Sequence, residues 1–169
     1  MIVFLIGFMG SGKTTLGKYA AKQLGLAFVD LDQWIEAGQG LEVREIFKKF
    51  GEPHFRELER QALREIVGQG RNILVACGGG TPCFHDNMAF MNSSGITVYL
   101  DIGSARLSER LRHNPDKRPL LQSIQGDLQT FIHQKLLERA PFYAQAQYMV
   151  AEADANKQKV TAILRDILQ

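Results

Sequence analysis

The sequence predicts an α/β fold built on a parallel sheet, and two observations carry that reading. Short apolar runs alternate along the chain with stretches of helical periodicity, the pattern of repeated βαβ units. The first run, Ile2-Val3-Phe4-Leu5-Ile6, is continuously apolar rather than alternating, which suits a strand covered on both faces. The chain has 169 residues and contains no linker, internal repeat or low-complexity tract, so residues 1–169 read as one domain.

The elements follow in order. Residues 2–6 are the first strand, ended by Gly7. A helix is expected from about Lys13, with Leu16, Tyr19, Ala20 and Leu24 on one face. Residues 26–29 form a short second strand, and residues 44–50 and 55–67 read as helices. The second of these helices carries the apolar stripe Phe55, Leu58, Ala62, Leu63 and Ile66. Further strands are expected at 73–76 and 96–100, and helices at 104–112 and about 127–139. An edge strand at 148–150 and a closing helix at 160–168 complete the order. The most loop-like stretch is 113–119, with two prolines and the basic pair Lys117-Arg118.

Composition narrows the function. Lys and Arg total 20 and Asp and Glu total 18, so the formal charge is 20 − 18 = +2. So small an excess argues against non-specific binding to nucleic acid or membranes. Hydrophobic residues make up 45% and charged residues 22%, ordinary for a globular protein and wrong for a disordered one. Two cysteines, Cys77 and Cys83, make no disulfide framework and read as reduced thiols in a cytoplasmic protein. The apolar N-terminus lacks a basic leader and a cleavage pattern, and Lys13 follows too soon for a spanning helix.

The first chemical signal is Gly7-Phe8-Met9-Gly10-Ser11-Gly12-Lys13-Thr14, which fits the phosphate-loop pattern G-x-x-x-x-G-K-[ST] at every fixed position. Its context is also right, because a strand precedes it and a helix follows. The glycines let the backbone wrap phosphates, and the helix N-terminus adds partial positive charge. The expected nucleotide-binding residues are therefore Gly10, Ser11, Gly12, Lys13, Thr14 and Thr15, with Lys13 bridging the outer phosphates. The Thr14 hydroxyl is an expected Mg²⁺ ligand.

The second signal is Phe28-Val29-Asp30-Leu31-Asp32, which ends the second strand with two acids. Residues two apart share a strand face. Beside a phosphate loop, one of Asp30 and Asp32 can hold hydrated Mg²⁺ and the other can meet the acceptor hydroxyl; the plainer reading of Asp32 is a cap for a helix beginning near Gln33. Asp101 ends another apolar strand and is read first as the cap of the 104–112 helix, second as a rival metal ligand. Neither D-x-x-G nor N-K-x-D occurs, so a GTPase switch lacks its parts.

Six ordered segments then resemble the shikimate kinase family over nearly the whole chain. Besides the phosphate loop and Phe28-Val29-Asp30-Leu31-Asp32, they are Gly51-Glu52-Pro53-His54-Phe55-Arg56-Glu57-Leu58-Glu59, Gly78-Gly79-Gly80, Arg118-Pro119-Leu120-Leu121 and Arg139-Ala140-Pro141-Phe142-Tyr143. The resemblance implies a nucleoside-monophosphate-kinase-like fold, three layers (α/β/α) around a central five-stranded parallel sheet. It implies ATP- and Mg²⁺-dependent phosphorylation of the shikimate 3-hydroxyl in aromatic amino acid biosynthesis. Carried over by position, Asp32 contacts the acceptor hydroxyls and serves as base or orienter, which leaves Asp30 as the expected Mg²⁺ ligand beside Thr14. Arg56 and Arg139 hold the shikimate carboxylate, and Gly78, Gly79 and Gly80 let backbone approach the substrate. Arg118 comes from a lid, residues 113–121, to reach the transferring phosphoryl group, and residues 32–60 form the substrate region. The implied protein is a cytoplasmic monomer with no nucleic-acid or membrane partner.

Some of these roles have independent support. Arg56 and Glu59 are three apart on a helix and hence neighbours, so Glu59 can orient the guanidinium toward a ligand; the same spacing also fits a surface ion pair. Phe47 and Phe55 are candidates for apolar walls or plain core. Among the basic residues between Ser104 and Arg118, Arg112 is the adenine-side candidate, while Arg106 and Arg110, four apart, read as a solvated helix face. Cys77 departs from the Ser or Thr usual before the glycines, and a thiol is a poorer hydrogen-bonding partner for metal or water. The four histidines, His54, His85, His113 and His133, show no ligand spacing. Other readings are a different small-metabolite kinase, for which a neutral sugar would not need two arginines, or a kinase-like binding module, which would be expected to lose Lys13, Asp32 or Arg118.

Overall fold

Five successive apolar residues, Ile2–Ile6, form strand β1, and all of them are buried. The computed structural model describes residues 1–70, 72–112 and 126–169. Its other strands are β2 (Ala27–Asp30), β3 (Ile73–Ala76), β4 (Ile96–Asp101) and β5 (Tyr148–Ala151). They make one sheet in the order β2-β3-β1-β4-β5, with every pair parallel. The helices are α1 (Lys13–Leu24), α2 (Leu31–Gln39), α3 (Val43–Phe50), α4 (Glu52–Gly68) and α5 (Asn87–Ser94). After them come α6 (Ser104–Arg112), α7 (Leu128–Tyr143) and α8 (Lys157–Ile167).

Side chains alternate across a strand, and β1 uses that alternation to feed two cores. Ile2, Phe4 and Ile6 pack with Leu31, Ile46, Leu63 and Ile66 of α2, α3 and α4. Val3 and Leu5 pack on the other face with Leu16 and Ala20 of α1 and Val160 and Leu164 of α8. Helices on both faces of a five-stranded parallel sheet give the expected three layers. A third cluster, Phe8, Ile102, Leu107, Leu111 and Ile132, ties α6 and α7 to the residues just after β1 and β4. The catalytic candidates thus gather beyond the C-terminal ends of the strands, where open parallel sheets hold ligands.

Several boundaries differ from the sequence reading. Strand β2 runs one residue further, to Asp30, and α2 begins at Leu31 rather than near Gln33. Leu31 is fully buried, so the chain turns there to put it in the core. Asp30 and Asp32 therefore do not share a strand face; Asp32 lies in the first turn of α2 and Asp30 is its cap. Helix α4 begins at Glu52, because Pro53 is tolerated in a first turn. Helix α7 continues through Pro141 to Tyr143, four residues beyond the expected end at 139. Helix α5 had no counterpart in the sequence reading. Asp101 is not the cap of α6: its carboxylate accepts a hydrogen bond from the Tyr99 hydroxyl at 3.0 Å. The expected lid, residues 113–121 with Arg118, lies outside the described residues.

Two helical glycines make a paired prediction. A Cβ on Gly17 of α1 would come within 2.9 Å of Leu5, Leu74 and Phe28, whereas one on Gly38 of α2 would meet nothing within 4 Å. Overpacking costs about 1–3 kcal/mol and outweighs the roughly 1 kcal/mol that alanine gains in helix propensity. Gly17→Ala should therefore lower the melting temperature, while Gly38→Ala raises it by about 2–4 °C. Equal shifts from the two substitutions in a thermal melt would contradict the packing of α1 on the sheet.

Candidate active site

The phosphate loop leaves β1 at Gly7 and enters α1. Gly10 and Gly12 have φ of 82° and 99°, in the left-handed region that favours glycine. Gly12 is the N-cap of α1 and supplies no side-chain hydrogen bond, whereas Asp30, Asp127 and Asn156 cap α2, α7 and α8. The first-turn N–H groups of α1 are thus left for an anion. Lys13 curls back over the loop, donating from Nζ to the carbonyls of Gly7 at 2.7 Å and Phe8 at 2.9 Å.

The two expected metal ligands meet. The Thr14 hydroxyl donates to Asp30 Oδ2 at 2.7 Å. The other oxygen, Asp30 Oδ1, accepts from the N–H groups of Asp32 at 3.1 Å and Gln33 at 3.4 Å, which fixes the carboxylate. This all-oxygen pair beside a phosphate loop fits Mg²⁺, a hard cation that takes one or two protein ligands with phosphates and water.

Asp32 faces the same cleft. Burial, then the neighbouring carboxylates of Glu59, Asp30 and Glu36, push its carboxyl up to about 7, while Lys13 pulls the other way. A carboxylate of that basicity is matched to accepting a proton near neutral pH.

The acceptor half of the cleft is built on α4, α7 and the glycines after β3. Glu59 is fully buried, and its Oε2 accepts from Arg56 Nη1 at 2.7 Å. Glu52 accepts from Arg56 Nε at 3.1 Å and Nη2 at 2.7 Å. Arg56 is itself 5% exposed, so the pair is buried and not the surface pair that the same spacing also fits. Arg139 reaches in from α7 with its guanidinium 5.1 Å from the Phe8 ring centre. Its Nη1 is buried and has no hydrogen-bond partner among the described residues.

The three glycines have a packing reason of their own, beside the backbone approach to substrate that the resemblance implies. None has a positive φ, so conformational freedom does not require them. A Cβ on Gly78 would lie 2.8 Å from Glu59, 2.9 Å from Thr81 and 3.2 Å from Asp32. On Gly79 it would lie 3.2 Å from Arg139 Nη1, and on Gly80 2.6 Å from Arg56 Nη2. The functional side chains themselves fill the space where a side chain would be.

These groups line one cleft of about 590 Å³, shared by Gly10, Gly12, Lys13, Thr14, Thr15, Asp30, Asp32, Arg56, Glu59, the three glycines and Arg139. Ser11 is buried beneath it, its hydroxyl 3.4 Å from Lys13 Nζ. Arg112 is not brought into the cleft; its guanidinium lies 4.0 Å from Asp127. Arg110, expected on a solvated face, instead donates to the carbonyls of Gly10 at 3.0 Å and Ser11 at 3.2 Å. Arg106 does face solvent, beside Glu152 at 3.5 Å. Phe47 lines the cleft, whereas Phe55 is core and only stacks behind it, the ring centres 4.7 Å apart. Tyr143 was not foreseen: its hydroxyl donates to the Gly79 carbonyl at 2.6 Å. Cys77 turns its thiol toward the Met91 sulfur at 3.7 Å, and burial pushes that thiol well up.

A phosphate loop after the central strand of a 2-3-1-4-5 parallel sheet, with acids after β2, defines a P-loop kinase of the nucleoside-monophosphate-kinase-like class. The family model described as shikimate kinase matches residues 9–169. A shikimate kinase of Bacteroides thetaiotaomicron is 50% identical over 148 residues, covering 87% of this chain and 84% of its own. A crystal structure of shikimate kinase from that organism superposes with a TM-score of 0.90 at 43% identity, covering 99% of this chain and 98% of the other. Shikimate kinase from Acinetobacter baumannii, solved in complex with shikimate, gives 0.89 at 33% identity, covering 99% and 92%. The chain belongs to the shikimate kinase family.

Gly80→Ala tests the glycine packing directly. The added Cβ would strike the end of Arg56, which must move. The variant should fold with a loss of about 1–3 kcal/mol, and its structure should show Arg56 displaced from Glu59. An Arg56–Glu59 pair unchanged in that structure would overturn this account.

Proposed function

We propose that this chain transfers the γ-phosphoryl group of ATP to the 3-hydroxyl of shikimate. The observation that carries the reading is Arg139, which lines the cleft beside an intact phosphate loop, has an Nη1 with no hydrogen-bond partner among the described residues, and is matched to a substrate carboxylate. Of the five N–H groups of Arg56, three donate to Glu52 and Glu59, which leaves two for the same carboxylate.

In this reading the α1 N-terminus and Lys13 hold the phosphates in line with the acceptor. Arg110 keeps the Gly10 and Ser11 carbonyls turned away from them. When bound at Thr14 and Asp30, Mg²⁺ neutralises charge on the phosphates. Asp32 orients the acceptor hydroxyl and takes its proton as the O–P bond forms. Most of the acceleration comes from alignment and charge neutralisation, as phosphoryl transfer requires. Arg118 is assigned to the transferring group on its motif alone. The reading carries with it a single-domain, cytoplasmic, monomeric enzyme without nucleic-acid or membrane partners; the small net charge supports the last of these alone. Among the described residues no helix is long and apolar enough to cross a membrane.

The test is ADP release measured with shikimate, quinate, gluconate and nucleoside monophosphates in turn. Shikimate should be preferred, and both ATP and Mg²⁺ should be required. Turnover of another acceptor with none of shikimate would defeat the proposal.

Two substitutions probe the roles. Asp32→Asn should lower kcat by roughly 10²–10⁴-fold with little change in ATP affinity. A near-normal kcat would reduce Asp32 to a structural acid. Arg139→Ala should raise the KM for shikimate about 10- to 150-fold, the range for one charged hydrogen bond, and change the KM for ATP less. Equal rises for both substrates would remove Arg139 from the acceptor side.

A further inference from the structure

We infer that Thr81 is a positioning residue for the acceptor carboxylate, acting through Glu59 on Arg56. The inference rests on the functional reading above and adds a residue to it.

The geometry begins with a problem. A fully buried carboxylate needs donors for both oxygens, or the charge is not tolerated. Glu59 Oε2 is answered by Arg56. Its Oε1 is answered by the Thr81 hydroxyl at 2.5 Å. Thr81 is itself fully buried and closely held. Its N–H donates to the Gly78 carbonyl at 3.2 Å, and its own carbonyl accepts from Asn87 Nδ2 at 3.0 Å. Pro82 follows and restricts the backbone further. The hydroxyl is therefore presented at one place, and it fixes the rotation of the Glu59 carboxylate.

That rotation decides where Arg56 points. With Oε1 engaged by Thr81, only Oε2 is offered to the guanidinium, so Glu59 takes a single N–H of Arg56. Without the hydroxyl, Oε1 is an unsatisfied buried acceptor, and Arg56, already bonded to the other oxygen, is a donor able to turn toward it. A guanidinium turned to serve both oxygens has fewer N–H groups for a ligand. The same turn supplies a second constraint, because the Phe84 ring centre lies 4.4 Å from the Arg56 guanidinium carbon. Thr81 sets the in-plane direction and Phe84 covers one face.

The experiment compares Thr81→Val, Thr81→Ala and Thr81→Ser with the unmodified chain in steady-state assays, varying shikimate and ATP separately, with a thermal melt of each. Valine keeps the shape and loses the hydroxyl; alanine loses both; serine keeps the hydroxyl. Valine and alanine should each raise the KM for shikimate roughly 5- to 20-fold, a fraction of a full charged hydrogen bond, with kcat and the KM for ATP within about twofold. Serine should restore the KM to within about threefold. A shikimate KM unchanged by valine and alanine overturns the inference, as does an equal loss in serine and valine, or a fall in kcat for both substrates alike. If the unmodified chain turns over another acceptor and not shikimate, the functional reading has failed and this inference with it. If it turns over shikimate and valine changes nothing, only the role of Thr81 has failed.

Discussion

A carboxylate with no exposed surface has to be answered by donors, and much of the acceptor half of this cleft is the answer to Glu59. Such a group gives little net stability, because desolvation offsets much of the attraction to its partner. What it gives is direction. Arg56 is held by a charge that cannot relax into water, so its guanidinium has one orientation rather than many. The same buried carboxylate is the largest neighbouring influence on Asp32 after burial itself. One side chain thus bears on both the anion-holding and the proton-accepting side of the cleft.

The glycines follow from this crowding. Gly78 lies against Glu59 and Asp32, Gly79 against Arg139, and Gly80 against Arg56. None needs a left-handed backbone, so the requirement is closeness alone. Gly10 and Gly12 are different: their positive φ wraps the phosphate loop. Both groups are glycine-rich loops in the sequence, and both follow a buried strand. Sequence alone does not separate a glycine kept for its torsion from one kept for its missing side chain, since the difference lies in what the rest of the fold puts beside it.

The same division explains what was legible. Strand β1, the phosphate loop and the Arg56–Glu59 spacing are local, so residue type and interval were enough to read them. The α/β class followed from alternation of short apolar runs with helical stripes, and the five-stranded sheet from resemblance. The meeting of Arg139 with Gly79, sixty residues apart, is a product of the whole topology and came only from resemblance. Arg110 was misread because a basic residue four from another on a helix looks solvated, and its partners are backbone carbonyls. Carbonyls leave no mark in a sequence. Tyr143 and Thr81 were missed for the same reason: each is defined by a tertiary hydrogen bond. The α7 boundary was missed because Pro141 is a helix breaker by propensity, yet Tyr143 beyond it is anchored in the core by burial and by Gly79.

The two halves of the cleft meet opposite electrostatic demands. The phosphate half draws an anion with backbone N–H groups, a helix terminus and Lys13, and keeps Asp30 beside Thr14 for the metal. If the acceptor half drew anions equally, nothing would stop the triphosphate from occupying it. The two glutamates solve this. Arg56 with Glu52 and Glu59 carries a formal charge of +1 − 2 = −1, and Arg139 brings the group back to zero. A patch that is neutral overall but presents directed N–H groups suits a single carboxylate and gives no net attraction to a polyphosphate. Discrimination of this kind comes from disfavouring the wrong ligand as much as from attracting the right one. The ion pairs of Arg56 are therefore better understood as a means of keeping two anionic substrates apart in one cleft than as a source of stability.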